Sequence, residues 1–521
     1  MKILANILHG TADTHLIQVT LETLSTLVTH DITSDKEMYI DNKENVHVLL
    51  EYIIKSDFIV RRAAIQFLTA ITINCMKELQ NIIFETPSGI SKLVYILKDK
   101  HENLALDELR LLQNLTRNHR PIQVSIVRQK GFKRLFDIFD RKDYDDESVT
   151  VKECLSVLLN LLQDNTINQN YFKEHPIQEL PYLKCLNKLF KIDFIHDKYW
   201  SPQKMENIYL LLQIIQRLTS PTNSKHNIID YQRAIRQYDI LQNMCVILKL
   251  ANVPMRILIQ IISTIADVID DSAENKKFLD SVMNNYGIIQ QSVLYNLLNV
   301  MINGRDKPFE LRIAILYFLR CYLYQNEFGK SMIISTLSYQ SEIANHYTLG
   351  SLLINGYVSN DAVASWCSSI GFSCLIGGHF DKAHKEEMLK MVISIDQSPI
   401  NGKTLMELSS DLLKNLISQV CLDSDTDGRG RLIQSLCAFV LCLCISSYNK
   451  IGSYSNDSIK QLICKEINIK SFQDIRKRLS ESEFYVKAFQ NPQLKLATPD
   501  EMALTYDFTQ LHEYTTSSTE V

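Results

Sequence analysis

Residues 151–162 of the chain, VKECLSVLLNLL, decide its fold. Apolar side chains recur in this stretch at positions i, i+3, i+4, i+7, i+8 and i+11, the stripe that an α-helix buries against a neighbour. Three further windows match at all six positions and begin at Val60, Leu258 and Leu311. Weaker matches begin at Ile17, Ala105, Ile208, Val363 and Leu432. The sequence therefore predicts a chain built from repeated amphipathic helices.

The spacing of these stripes indicates a helical repeat protein. The first three intervals are 43, 45 and 46 residues, and the later ones run from 50 to 69 residues. Armadillo and HEAT repeats have periods of about 40 to 47 residues. A second apolar segment precedes each stripe. The apolar segment at 131–139 is itself preceded by a short helical segment at 122–129, which makes three helices in that unit. Three helices per unit favour armadillo over HEAT repeats, which have two. We expect an all-α, right-handed armadillo-like α-solenoid of about nine to ten helical repeats.

Glycine marks the corner between the first two helices of such a unit. Gly89 and Gly131 each begin an apolar segment. Glycine adopts the left-handed conformation at helix ends without a steric penalty. We therefore expect both residues to supply that conformation at the corner.

Composition excludes several classes of protein. The 521 residues carry 55 Lys plus Arg and 59 Asp plus Glu, a net charge of −4 that argues against nucleic-acid binding. Gly and Pro, at 15 and 11 residues, fall below half their usual shares, which excludes collagen-like and turn-rich β architectures. The longest apolar run, 436–445, is too short to cross a bilayer. Twelve scattered Cys residues without a secretion signal indicate reduced thiols in a cytoplasmic protein.

No stretch of the sequence carries a complete catalytic or metal-binding motif. Residues 423–428, DSDTDG, match the first half of an EF-hand loop, but Gln434 stands where the bidentate carboxylate belongs, so a structural acidic loop is favoured over a calcium site. Cys437, Cys442 and Cys444 lie in the longest apolar run without metal-ligand spacing, which favours core thiols. We expect no enzyme, no cofactor and no metal, although catalytic groups distant in sequence stay open.

The stretch 117–136 is the longest segment with charge of one sign and contains no acidic residue. One interpretation is a solvated helix face whose charges are balanced by other repeats. The other is a surface for an acidic partner or an anionic membrane. Its cations are Arg117, Arg120, Arg128, Lys130, Lys133 and Arg134.

Asparagine also recurs at the repeat spacing. The pairs are Asn114 with Asn160 and Asn118 with Asn165, at intervals of 46 and 47 residues. Peptide-binding armadillo proteins use an Asn ladder between walls of Trp, but this chain has only Trp200 and Trp366. A cap or turn role is therefore favoured over a peptide-binding ladder.

The stretch 150–174, TVKECLSVLLNLLQDNTINQNYFKE, resembles the most characteristic block of the general vesicular transport factor family, the Golgi vesicle tethers. It combines a Cys-containing repeat helix, an Asn-rich turn and an aromatic pair, Tyr171 and Phe172. Further matching stretches run in family order from about residue 46 to 514. They are 85–97 (ETPSGISKLVYIL), 111–123 (LLQNLTRNHRPIQ), 217–223 (RLTSPTN) and 506–511 (YDFTQL).

The resemblance implies a tether head over residues 1–514, and the polar residues that follow predict a disordered tail, 515–521. Such a head is cytoplasmic, peripheral on Golgi and transport-vesicle membranes, and acts in docking between endoplasmic reticulum and Golgi and within the Golgi. The implied partner is a Rab-type small GTPase, with a homodimer through the head and other Golgi tethering proteins as further candidates. Family members continue into a coiled coil, for which we find no sustained heptads after Phe508. The alternative is a cargo or scaffold adaptor of the nuclear transport type.

The resemblance also suggests where partners bind. The Leu and Cys residues of the 150–174 block fit core packing, whereas we expect its polar turn to be exposed. The turn and the neighbouring basic stretch are the candidate surface for partner contact or head dimerisation. The turn residues are Asn165, Asn168, Asn170 and Tyr171.

Overall fold

The computed structural model describes most of the chain as far as residue 376 and parts of the remainder. The described residues are 2–30, 39–55, 57–176, 180–190, 200–250, 252–283, 293–337, 348–376 without 358 and 360, 413–421 without 415 and 419, 431, 434–439, 441, 450–451, 454–483 without 468, and 485–486. The chain divides into two compact units, residues 1–283 and 284–521. Among the described residues, no helix is both long and apolar enough to cross a membrane.

The first unit is helical, and from residue 76 to residue 269 two shorter helices precede each long one. Its helices are α1 (Lys2–Gly10), α2 (Thr14–His30), α3 (Lys43–Tyr52), α4 (Phe58–Thr72), α5 (Met76–Glu85), α6 (Gly89–Ile96), α7 (Glu102–Thr116), α8 (Arg120–Arg128), α9 (Gly131–Arg141), α10 (Val149–Leu162), α11 (Thr166–Glu174), α12 (Tyr182–Leu186) with a 3₁₀ turn (Asn187–Leu189), α13 (Pro202–Leu218), α14 (Lys225–Gln237), α15 (Ile240–Leu248), α16 (Met255–Ile269) and α17 (Ala273–Met283).

The long helices form the core of this unit. Helices α2, α4, α7, α10, α13 and α16 pack on one another in chain order. The stripe that begins at Val60 is buried along its whole length, and in the stripe that begins at Val151 only Leu159 is partly exposed. Both stripes are covered by neighbouring helices, and the long helices stack in chain order, so the predicted stacking of repeats is confirmed.

The corners between first and second helices use glycine differently from our expectation. The left-handed residues are Ser88 and Lys130, which precede the glycines and have φ angles of 61° and 69°. A Cβ atom on Gly89 would lie 2.6 Å from the carbonyl oxygen of Ile83, and one on Gly131 would lie 2.7 Å from that of Ile126. The glycines are needed because the chain passes close to the end of the preceding helix.

The second unit repeats the helical architecture and adds a short hairpin. Helix α19 packs on α22, and α18 packs on α21. The two strands pair antiparallel, with Lys450 opposite Ser455. The elements are α18 (Val293–Asn303), α19 (Phe309–Leu323), α20 (Glu327–Ile334), α21 (Leu349–Tyr357), α22 (Ala362–Ile376), β1 (Lys450–Ile451), β2 (Tyr454–Ser455), α23 (Asn456–Glu466) and α24 (Ile469–Glu481). The predicted all-α class is confirmed, with this hairpin as a minor addition.

Several sequence predictions fall outside the described residues. These are the acidic loop at 423–428, the thiols of Cys442 and Cys444, the stretch 506–511 and the tail 515–521.

Candidate interaction surface

The short first helices of successive repeats contact one another in a row along the first unit. We call α5, α8, α11, α14 and α17 the first-helix row. Side chains near the start of each helix contact the preceding helix of the row. The contacts are the rings of Phe84 and His119 at 6.1 Å, Asn165 Nδ2 to Gln123 Oε1 at 2.9 Å, the Tyr231 hydroxyl to Gln169 O at 2.6 Å, and Asn275 Nδ2 to Gln232 O at 3.0 Å.

Buried amides on this row satisfy the ends of the long helices. The Nε2 atom of Gln123 donates to the carbonyl of Thr116 at 2.8 Å, and that of Gln169 donates to the carbonyl of Leu162 at 2.9 Å. The last carbonyls of a helix have no partner within the helix, and leaving them buried and unpaired is costly. These amides therefore join each long helix to the first helix that follows it.

The prediction that Asn165 and Asn168 are exposed is wrong, because both are fully buried. Asn165 is the N-cap of α11, and its side chain accepts from the backbone N–H of Asn168 at 3.2 Å. The side chain of Asn168 donates to the carbonyl of Leu161 at 2.8 Å. These two amides of the polar turn are thus internal, whereas Asn170 and Tyr171 are partly exposed, and the cap interpretation of Asn165 is confirmed.

The recurring Asn residues on the long helices are engaged within the array. Asn114 Nδ2 donates to Thr72 Oγ1 at 2.8 Å. Asn160 Nδ2 donates to the carbonyl of Gln113 at 2.9 Å and to Thr116 Oγ1 at 3.1 Å. These donors bridge neighbouring repeats rather than point at a ligand, which removes support from a peptide-binding adaptor. Asn118 lies in a left-handed turn with φ of 55°, as the turn interpretation predicts.

The structure divides the basic stretch into two groups. Lys133 and Arg134 are partly buried on α9 and pair with Asp137 at 3.1 and 3.2 Å. The other four side chains are exposed, and no described residue forms an ion pair with them. They are Arg117, Arg120, Arg128 and Lys130. Charge balance by other repeats, one of the two interpretations, therefore does not apply to these four within the described part of the chain.

The aromatic pair of the 150–174 block has one buried and one partly exposed member. Phe172 is buried against Phe132, with ring centroids 5.2 Å apart. Tyr171 is half-buried, stacks on His175 at 3.9 Å and lies 6.2 Å from Phe132. The neighbouring Asn170 accepts from Asn227 Nδ2 at 2.8 Å. We call Asn170, Tyr171 and His175 the Tyr171 surface.

Sequence reasoning missed three residues of this region. His119 is the N-cap of α8, where its Nδ1 atom accepts from the N–H of Ile122 at 3.2 Å, and burial lowers the pKa of its ring. Phe84 and Ile167 are large apolar side chains with exposed fractions of 47% and 51%. The available signal in the sequence was the position of His119, which precedes Asn165 by 46 residues, one repeat interval.

Within the described residues, no cluster of three or more His, Cys, Asp or Glu side chains could hold a metal ion. Two of the described thiols, those of Cys245 and Cys437, lie largely inside the protein. Burial raises the pKa of Cys245 to about 12 and that of Cys437 to about 11, so neither is a thiolate at neutral pH. This supports the core-thiol interpretation for Cys437.

Two family models match the chain. The armadillo tether-repeat of vesicular transport factor matches residues 197–257, and the head region of Uso1/p115-like vesicle tethering protein matches residues 264–425. Human general vesicular transport factor p115 is 30% identical over 532 residues, which cover 94% of this chain and 54% of the relative. The intracellular protein transport protein uso1 of Schizosaccharomyces pombe is 28% identical over 60% of this chain and 30% of its own length.

Solved structures agree with this relationship at the level of the fold. A crystal structure of Uso1-1 has a TM-score of 0.70 at 18% identity and covers 98% of this chain and 91% of that one. A crystal structure of Uso1-2 has a TM-score of 0.69 at 16% identity. The chain spans about half the length of the curated p115 relatives it matches.

Proposed function

The chain belongs to the general vesicular transport factor family, within its head region, and on this premise we propose that it is the head of a vesicle tether. It docks vesicles between endoplasmic reticulum and Golgi and within the Golgi. It works on the cytoplasmic side, peripheral on Golgi and vesicle membranes, with other tethering proteins or a second head as further partners. The observation that carries the proposal is the alignment with human p115, which covers 94% of this chain at 30% identity.

The proposed direct partner is a Rab-type small GTPase, and the mechanism is differential binding rather than catalysis. GTP orders the switch loops of such a GTPase, and hydrolysis releases them. A rigid helical surface that fits the ordered loops binds the GTP state more tightly. The selectivity of the tether then equals the difference between its affinities for the two states.

We assign this contact to the Tyr171 surface. The ring of Tyr171 is held between His175 and the side of Phe132, so little side-chain entropy is lost when a partner covers it. Partly exposed Tyr residues with fixed rings are frequent binding hot spots. Lys133 and Arg134, which follow Phe132 on α9, share Asp137 and so leave a net positive charge that steers an acidic partner.

Retention of GTPases on the immobilised 521-residue chain tests the proposal. A Rab-type GTPase locked with GTP is expected to be retained at least about tenfold better than the same protein locked with GDP. Tyr171→Ala is expected to reduce GTP-state retention, whereas Tyr95→Ala, at an exposed tyrosine on α6, is the matched control. Equal retention of both nucleotide states would remove the GTPase proposal, and equal effects of the two variants would remove the Tyr171 surface.

A further inference from the structure

Helix α8 has uncompensated cations at both ends. Arg117 and Arg120 lie at its start, and Arg128 and Lys130 lie at its end. With a rise of 1.5 Å per residue, the backbone positions of Arg120 and Arg128 are about 12 Å apart. The side chains of these four residues are exposed and make no hydrogen bond to the described residues. The segment 117–130 therefore presents four positive charges to solvent.

Cations near the end of other helices in the first-helix row are paired. Lys173, in the last turn of α11, lies 2.8 Å from Asp230 of α14. Arg236, in the last turn of α14, lies 3.7 Å from Glu274 of α17. Arg128, in the last turn of α8, forms no ion pair with a described residue, and the first turn of α11 contains no acid. Positive charge therefore remains unpaired on α8 within the described part of the chain.

Exposed apolar side chains flank these cations. Phe84 packs its ring 6.1 Å from that of His119, the residue before Arg120. Ile167 stands in the first turn of α11, two residues after Asn165, whose amide contacts Gln123 of α8. Both side chains are about half exposed. Cations with apolar side chains beside them are the combination by which peripheral proteins bind anionic lipid surfaces.

We infer that the α8 surface, formed by Arg117, Arg120, Arg128 and Lys130 with Phe84 and Ile167 beside them, binds the negatively charged face of a lipid bilayer. The cations occupy both ends of a helix and are not held by hydrogen bonds, so mobile lipid headgroups can rearrange to meet each one. Phe84 and Ile167 enter the interfacial layer, which a rigid acidic protein surface does not offer. The inference goes beyond the proposed function, because lipid contact requires no GTPase.

Co-sedimentation of the 521-residue chain with vesicles tests this surface. The probe is phosphatidylcholine vesicles with about one-fifth phosphatidylserine, compared with pure phosphatidylcholine vesicles. The test variant replaces Arg117, Arg120, Arg128 and Lys130 with Gln. The control variant replaces four exposed lysines elsewhere in the first unit with Gln, so both variants have the same net charge. These lysines are Lys55, Lys100, Lys184 and Lys277.

The wild-type chain is expected to bind the anionic vesicles and to lose that binding in high salt. Because each cation near such a surface contributes roughly a fivefold factor in affinity, the test variant is expected to bind at least about tenfold more weakly than the control. No preference of the wild type for anionic vesicles, or equal loss in both variants, would overturn the inference.

GTPase retention by the same variants separates this inference from the proposed function. The test variant is expected to keep its GTP-state retention, because the Tyr171 surface is intact. Lost GTPase retention together with unchanged vesicle binding would assign the four cations to an acidic protein and overturn the lipid assignment.

Discussion

His119 and Asn165 occupy the same place in successive repeats, the N-cap of a first helix, with different chemistry. Asn165 accepts a hydrogen bond at any pH, whereas His119 Nδ1 accepts one only when that nitrogen is unprotonated. The local pattern could predict a cap after each long helix. It could not predict that Asn165 is fully buried, because the covering contact comes from Gln123 of another repeat.

This difference predicts a pH-dependent contribution to stability from His119. Burial lowers the pKa of His119, so the unfolded chain binds the proton more readily than the folded chain. Its contribution is complete above the unfolded pKa of about 6.5 and is lost as pH falls through the lower folded value. We expect His119→Asn to show a smaller fall in melting temperature than wild type on acidification. His15→Asn, at an exposed histidine, is the control, and a slope unchanged by His119→Asn would contradict the prediction.

Glu108 on α7 is fully buried, and neither carboxyl oxygen has a hydrogen-bond partner among the described residues. Burial raises the pKa of Glu108 well above its usual range. The folded chain therefore holds this proton to a higher pH than the unfolded chain, and stability falls as pH rises above about 4.3. Glu108→Leu is expected to stabilise the chain at neutral pH by about 1–3 kcal/mol in urea unfolding, with a smaller gain in acid.

Glu108→Gln is the control for Glu108→Leu, because it removes the ionisation and keeps the unpaired polar group. It is expected to stabilise less than Leu and to remove the same pH dependence. Destabilisation by Glu108→Leu at every pH would show that the carboxyl group has a favourable partner.

The elements differ in how far the sequence could predict them. The long helices follow from apolar periodicity alone, because their stripes are continuous in sequence. The contacts along the first-helix row could not be predicted from periodicity, since they join residues that are far apart in the chain, such as Tyr231 and Gln169. The exposure of Phe84 and Ile167 likewise depends on how neighbouring helices meet. The sequence therefore indicated the cations of the α8 surface but not the apolar side chains beside them.

Gly131, at the corner between α8 and α9, is expected to be sensitive to substitution. A Cβ atom on Gly131 would lie 2.5 Å from Cγ2 and 2.7 Å from the carbonyl oxygen of Ile126. Gly131→Ala is expected to destabilise the chain by about 1–3 kcal/mol, because the corner must open. Gly10→Ala, where a Cβ atom meets nothing within 4 Å, is the control and should be nearly neutral. Equal melting temperatures for the two variants would contradict the close approach.

At the scale of the whole chain, stacked helical repeats provide surfaces on which other macromolecules can bind. Composition argued against generic nucleic-acid binding, and the resemblance of the 150–174 block pointed to the family whose models and relatives the chain matches. The partner could not be derived from the sequence, because a shared repeat fold supports many binding functions. The tether proposal depends on the Tyr171 surface and a GTPase, and the lipid inference depends separately on the α8 surface.

The most direct test of the tether proposal is capture of vesicles by the surface-bound 521-residue chain. Uncharged vesicles that display a Rab-type GTPase exclude the contribution of anionic lipid, so the nucleotide is the single variable. We expect capture of vesicles whose GTPase holds GTP and little capture of vesicles whose GTPase holds GDP. Equal capture in the two states, or none in either, would contradict the proposal.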